Sequence, residues 1–386
     1  MDIYLDNNAT TPLHPEVKKE IKNFLNNYGN PSSMHETGRK VKSKIKKARE
    51  NVAEFFDAPA NDIIFTASGS ESNNTVLKSV LFNNYDFTPH IITTNIEHPA
   101  VLETARFLEK NGIEVSYLNV NKDGVVTPEQ VLKEIKDNTV LVSIMWANNE
   151  IGTLQPIREI GEILEDKDIL FHSDAVQAAG KIKLSLRKSK LDFASFSGHK
   201  IYAPKGIGVL YFKNFEKNKK TLVPLIHGGH QEKGFRASTE NTIGIVAIGK
   251  ACEQLNKEID DEIKRIKNLR DLFEKKVEKE IDDIIINGKK APRLPGTSNI
   301  TFKRVEGESI LLRLDLNGIR VSTGSACSTG SLDPSHVLMA ISNKAEVAHG
   351  SVRFTFGREN TKKDVDRTVK ILKKEINTLR KMSPIK

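Results

Sequence analysis

Between residues 60 and about 212, short apolar runs alternate with segments of helical period, and this alternation constrains the fold more than any other feature of the 386-residue chain. Seven runs read as strands: Asp62 to Thr66, His90 to Thr94, Glu114 to Asn119, Thr139 to Trp146, Ile169 to Ser173, Phe193 to Ser197 and Gly208 to Phe212. Helices fit between most of them, at Glu71 to Leu81, Ala100 to Lys110, Thr127 to Lys136 and Ile157 to Glu165. Strand and helix in turn imply an α/β fold, a mainly parallel seven-stranded sheet covered by helices on both faces.

Long helical stretches follow from about Thr242 to Ile281, with Ile245, Ile248, Ala251, Cys252 and Leu255 on one face. The remainder reads as a smaller α+β unit. Its strands are Ser298 to Phe302, Arg320 to Ser322 and Val352 to Phe356, and its helices are Glu306 to Leu314, Pro334 to Ile341 and Lys362 to Met382. The expected division is a large domain over residues 13–255 and a small domain built from residues 1–12 and 256–386.

Composition narrows the function classes. Hydrophobic residues at 38% and charged ones at 28% describe a globular chain, and no apolar run approaches the roughly 20 residues needed to cross a bilayer. The start Met1-Asp2-Ile3-Tyr4-Leu5-Asp6 lacks the basic and apolar regions of a secretion signal, so the protein is expected in the cytoplasm, without a membrane. The net charge of +9 comes from lysines spread over several helices, without an aromatic-interleaved basic patch. That distribution argues against nucleic acid and favours an anionic cofactor or an acidic partner protein. Two cysteines, Cys252 and Cys327, in different settings argue for a reducing compartment.

The strand ends carry the chemistry. Lys200 closes the run Phe193-Ala194-Ser195-Phe196-Ser197-Gly198-His199-Lys200, a strand breaking into small and polar residues, and Asp174 closes another strand 26 residues earlier. In open parallel sheets ligands bind beyond the carboxyl ends of strands, so these two groups are expected to face one crevice. A pyridoxal phosphate site needs both, a carboxylate for the ring nitrogen and an amine for the aldehyde.

Thr66-Ala67-Ser68-Gly69-Ser70-Glu71 passes from strand to helix through small residues. Gly69 permits close backbone approach, Ser70 offers a hydroxyl, and the helix start presents unpaired N–H groups to an anion. The same pattern also suits an ordinary serine helix cap. Ser197 and His199 could donate to the same phosphate. His98 follows another strand end and reads either as a ring lying on an aromatic cofactor and moving protons or as a capping or core residue. Asn149 and Gln177 supply neutral amides that can hold a phenolic oxygen.

Cys252 fits a small buried hydrophobe. Cys327, in Gly324-Ser325-Ala326-Cys327-Ser328-Thr329-Gly330, sits among small polar residues and reads as a thiol on a mobile, solvent-reachable loop. Arg353, inside an apolar strand, either pairs with an internal carboxylate or grips a substrate carboxylate. Metal-ligand spacing of the Cys-x-x-Cys or His-Glu-x-x-His kind does not occur, and no permanent metal is expected.

With these residues assembled, the chain resembles the cysteine desulfurases, class V members of the fold-type I pyridoxal-phosphate enzymes, over essentially its whole length. The motifs are Tyr4-Leu5-Asp6-Asn7-Asn8-Ala9-Thr10-Thr11-Pro12, Gly29-Asn30-Pro31-Ser32-Ser33, Glu97-His98-Pro99, Asn148-Asn149-Glu150, Ser197-Gly198-His199-Lys200 and Gly324-Ser325-Ala326-Cys327. The resemblance implies that Lys200 carries the cofactor, Asp174 pairs with its pyridine nitrogen, Gln177 meets its ring oxygen, and His98 stacks on the ring. Asn149 would orient cofactor and substrate, with Arg353 binding the substrate. Gly69, Ser70, Ser197 and His199 would hold the phosphate, completed by Thr239 of a second subunit in a homodimer.

The implied reaction takes sulphur from L-cysteine, releases L-alanine and leaves a persulfide on Cys327, in the small domain. The long stretch between Cys327 and Arg353 matches the iron–sulphur and nitrogen-fixation branch. An iron–sulphur scaffold protein is then the expected acceptor, with a cluster shared transiently through Cys327. Departures are Ser70 where many relatives have threonine and Ser238 in place of a common glycine, and the ending Met382-Ser383-Pro384-Ile385-Lys386 is expected to lack the extended tail that some members use to dock a scaffold. Alternatives are another class V aminotransferase or lyase, sulphur donation for tRNA thiolation, or a non-catalytic adaptor.

Overall fold

Strand β7 (Phe193–Ser197) shows why a sheet forms here: Ala194 and Phe196 enter one hydrophobic cluster and Phe193 enters another on the opposite face. Strand β2 (Ile63–Thr66) and strand β8 (Gly208–Phe212) alternate the same way, Phe65 and Val209 against Ile64 and Leu210. A period of two with apolar residues on both faces demands cover on both faces. The computed structural model supplies it, describing residues 2–83, 85–218, 221–323 and 334–382.

The central sheet has the order β2-β8-β7-β6-β5-β3-β4, where β3 is His90–Thr94, β4 Glu114–Leu118, β5 Thr139–Ser143 and β6 Leu170–Asp174. Only β8 runs against its neighbours in this sheet, so β2, β3, β4, β5, β6 and β7 all end at the same edge. The expected mainly parallel seven-stranded sheet is present. Its strands agree with the sequence reading to within three residues at each end, and His90 to Thr94, Phe193 to Ser197 and Gly208 to Phe212 agree at both ends.

The two histidines inside the sheet, His90 and His172, are each satisfied at both ring nitrogens. His90 reaches Thr139 Oγ1 and Ser116 Oγ at 2.8 and 2.9 Å, and His172 reaches Ser143 Oγ and Ser195 Oγ at 2.8 and 3.0 Å. Burial without such partners would cost each ring on the order of 1–3 kcal/mol.

A second core gathers Ile3, Leu5, Phe273, Phe302, Ile310, Phe354 and Leu372. Around it lie an antiparallel sheet of β9 (Ile284–Ile286), β10 (Thr297–Phe302) and β12 (Ser351–Thr355), and a two-stranded parallel pair of β1 (Ile3–Tyr4) and β11 (Ile319–Arg320). Strands β1 and β9 are too short to show a period, and the sequence reading omits both. The 39-residue helix Thr242–Glu280 joins the two cores, giving Ile245 to Ile259 to the first and Leu269 to Val277 to the second. Among the described residues no helix is long and apolar enough to cross a membrane.

Candidate active site

Because six strands end at one edge, the segments that follow them converge there. They line a cavity of about 320 Å³ that brings together Gly69, Ser70, His98, Asn149, Asp174, Gln177, Ser197, His199, Lys200 and Arg353. A volume of this size lies in the range of small-molecule sites.

Helix Gly69–Phe82 begins here because Ser68 caps it, its side chain accepting from Glu71 N at 3.0 Å. The serine cap and the anion site are therefore compatible readings: Ser68 satisfies one N–H, and Gly69 and Ser70 remain on the cavity wall. A Cβ on Gly69 would lie 2.6 Å from Val176 Cγ2 and 3.5 Å from Ser197 Cβ, so the glycine is required by close approach. Ser70 is exposed, whereas Ser197 is buried.

Asp174 ends β6 with both carboxylate oxygens held. Val176 N donates to Oδ1 at 3.1 Å, and Asn73 Nδ2 donates to Oδ2 at 2.7 Å. Asn73 Oδ1 is buried with no partner among the described residues. The sequence reading missed Asn73, although its position four residues after Gly69 puts both on one helix face.

His98 serves as helix cap and cavity wall at once: its Nδ1 accepts from Ala100 N at 3.1 Å while the ring faces the site. Desolvation lowers its pKa first, Asp174 opposes that shift, and Lys200 adds to it. With Nδ1 acting as acceptor, the neutral ring carries its proton on Nε2. The neighbouring Glu97 is fully buried, accepting from Thr94 Oγ1 and Met145 N at 2.8 Å each, and burial pushes its pKa up to about 8.

Lys200 follows β7 and donates to the carbonyls of Asn8 and Ala9 at 2.6 and 2.7 Å. His199 Nδ1 lies 3.2 Å from Thr10 Oγ1, and desolvation aided by Lys200 lowers its pKa to about 4, leaving a neutral ring. Of the two readings for Arg353, the internal carboxylate is present in the structure. Its Nη2 pairs with Asp6 Oδ1 at 2.8 Å and its Nη1 donates to Asn149 O at 3.0 Å, while buried Nε has no partner among the described residues.

Thr239 is exposed and does not line this cavity; beside it Ser238 adopts φ +89°, a left-handed value that favours glycine. Cys327 lies outside the described residues. The described chain resumes at residue 334, where Ser335 Oγ donates to Glu150 Oε2 at 2.5 Å and His336 Nε2 lies 2.9 Å from Glu97 O. Burial raises the Glu150 pKa to about 7, the Ser335 bond opposing it. Cys252 is buried and its thiol is pushed up by desolvation, as suits a core residue.

The donor set fits pyridoxal phosphate: an amine, a fixed carboxylate, a flanking imidazole, and small residues at a helix start for an anion, all on one cavity. Comparison with known proteins agrees. The family model described as aminotransferase class-V matches residues 3–368. The chain is 49% identical to a cysteine desulfurase IscS of Dictyoglomus turgidum, covering all of this chain and 97% of that one. It is 46% identical to a cysteine desulfurase IscS of Methanosarcina thermophila, covering 99% and 94%. Among solved structures, a NifS-like protein superposes with a TM-score of 0.90 at 37% identity, covering 98% of this chain and all of that one. A structure described as SspA in complex with cysteine gives 0.82 at 35% identity, covering 92% and 98%.

Proposed function

The chain belongs to the class-V aminotransferase family as a cysteine desulfurase dependent on pyridoxal phosphate, and we propose that its strand-end cavity converts L-cysteine to L-alanine while Cys327 receives the sulphur. The observation that carries this reading is the convergence of the Lys200 amine, the Asp174 carboxylate and the His98 ring on one cavity.

When bound, the cofactor supplies an electron sink for bonds broken at the substrate. Lys200 would provide the amine that holds the cofactor aldehyde, and its free amine would serve as a base for the substrate Cα proton. Asp174 holds negative charge against the pyridine nitrogen, its geometry fixed by Asn73 and Val176. His98 covers the ring, and its Nε2–H makes it a proton donor toward the cavity. A role for His98 as base toward a thiol would require breaking its contact with Ala100. Gly69, Ser70, Ser197 and His199 would hold the phosphate. Gln177 meets the phenolic oxygen, and Asn149 with Arg353 orients the substrate.

Sulphur transfer balances without an added oxidant. The Cys327 thiolate attacks the substrate sulphur, the C–S bond breaks, and the substrate carbon takes a proton to give alanine. An enzyme S–S bond replaces the C–S bond. The persulfide then passes to an acceptor, for which an iron–sulphur scaffold is the proposed partner. A homodimer is also proposed, supported by the exposure of Thr239 and its distance from the lining of its own cavity.

Mass spectrometry after L-cysteine treatment tests the reading. One added sulphur on the Cys327 peptide is expected in the native protein and absent in Lys200→Ala. Alanine formation that survives Cys327→Ser undiminished would overturn it.

A further inference from the structure

Lys181 is a lysine beside the reaction cavity that the mechanism above leaves unused. It is half-buried, and among the described residues it pairs with no carboxylate. Its Nζ donates instead to two side-chain amides, Asn8 Oδ1 at 2.9 Å and Gln177 Oε1. Cations withdrawn from water normally find an anion, so a lysine spent on two neutral oxygens implies another use.

The two amides are held from both ends. Gln177 Nε2 donates to the Asn8 carbonyl at 2.9 Å, and Asn8 Nδ2 donates to Asn149 O at 3.0 Å and Thr297 Oγ1 at 3.1 Å. An amine has at least two N–H groups to give and at most one lone pair to accept with, so Lys181 favours both amide oxygens toward itself and both NH2 groups away. Reversing Gln177 would set its NH2 against the amine and its oxygen against the Asn8 carbonyl, and reversing Asn8 would lose its bond to the Asn149 carbonyl. One Gln177 N–H is used on Asn8, and the other remains for the cavity that Gln177 lines.

We propose that Lys181 is a positioning residue of the desulfurase reaction, locking the Gln177 amide so that its N–H faces the phenolic oxygen of the cofactor. This rests on the assignment of Gln177 to that oxygen in the function proposed above. The charged and titratable groups around the amine are Lys200, Arg353 and His199 on the cavity side. Tyr202 and Glu262 line the small adjoining cavity that Lys181 and Lys200 share. Desolvation, then Lys200 and Arg353, hold the Lys181 pKa well below the usual lysine range, as the scarcity of anions around it requires.

An N–H to the phenolic oxygen favours the ionised oxygen. Loss of that lock should therefore move the pH midpoint of the bound cofactor's visible absorbance upward. Holoenzyme titrations of the native protein, Lys181→Met, Lys181→Arg, Gln177→Ala and the Lys181→Met/Gln177→Ala double variant provide the test. Lys181→Met is expected to raise the midpoint by about one pH unit. Lys181→Arg, which keeps the donors, should return most of the shift, and Lys181→Met should add nothing in the Gln177→Ala background. Should Lys181→Met not fold, Lys181→Ala, which also removes the donors, carries the same expectation. An unchanged midpoint in the variant that folds, or an undiminished shift in the Gln177→Ala background, overturns the proposal. Absence of cofactor absorbance from the native protein itself would instead overturn the function on which it rests.

Discussion

Asn73 Nδ2 and Asp174 Oδ2 lie 2.7 Å apart, a bond that ties the first turn of helix Gly69–Phe82 to the end of β6. The helix start and the carboxylate, which the proposed function assigns to the cofactor's phosphate and pyridine nitrogen, are thus fastened together in one frame. Hydrogen bonds to charged groups contribute about 1.5–3 kcal/mol. Asn73→Ala is therefore expected to weaken cofactor retention roughly ten-fold or more, read from visible absorbance during dialysis. Retention equal to the native protein's would show that Asp174 needs no such support.

Gly69→Ala tests the other end of that frame. The added methyl would meet Val176 Cγ2 at 2.6 Å, forcing Val176 or the helix start to move. Overpacking of this kind costs about 1–3 kcal/mol. Phosphate competition against cofactor binding should be weakened in the variant while far-ultraviolet circular dichroism stays native.

Ser238 holds φ +89° without being glycine. Strain at such a position amounts to about 1–3 kcal/mol, so Ser238→Gly is expected to raise the midpoint of chemical denaturation. A lowered midpoint would mean that the serine side chain does more than tolerate its backbone.

Glu97 gives stability a pH dependence whose sign can be worked out. Its folded pKa of about 8 lies above the ordinary glutamate value of 4.5, so the folded state binds more protons between those values and loses stability as pH rises through that window. Glu150, raised to about 7, acts in the same direction. His172 and His199 act oppositely: their folded values of about 3 and 4 lie below 6.5, so their contribution is lost as pH falls from 6.5 toward those values. Above pH 6.5 only the carboxyl effect remains among these four groups. Glu97→Gln should flatten the decline in unfolding free energy between pH 6.5 and 9, a slope of at most about 1.4 kcal/mol per pH unit for one proton. Denaturant titrations at several pH values check this; parallel curves for native and variant proteins would contradict it.

Much of this site is legible in the sequence because strand ends are legible. Phe193 to Ser197 and the run ending at Asp174 are apolar stretches that stop at small and polar residues, and a parallel sheet brings such ends to one edge. That logic recovers Lys200, Asp174, His98, Asn149 and Gly69 on one cavity. It does not recover Asn73, Asn8 or Lys181, whose importance comes from contacts made across long sequence separations, such as Lys181 with Asn8. Nor could it decide between cap and site for Ser68-Gly69-Ser70 or for His98, since in both segments the fold makes the cap and places the same segment on the cavity wall.

The helix Thr242–Glu280, about 58 Å from end to end at 1.5 Å per residue, is the ridgepole of the molecule. Its leading turns carry Ile248 and Leu255 into the roof over the sheet, and its trailing turns carry Phe273 and Val277 into the neighbouring gable. Neither half can melt without fraying a rod on which the other leans. Heating should then give one calorimetric peak, and a proline placed at the exposed mid-rod position Asp261 should split it in two.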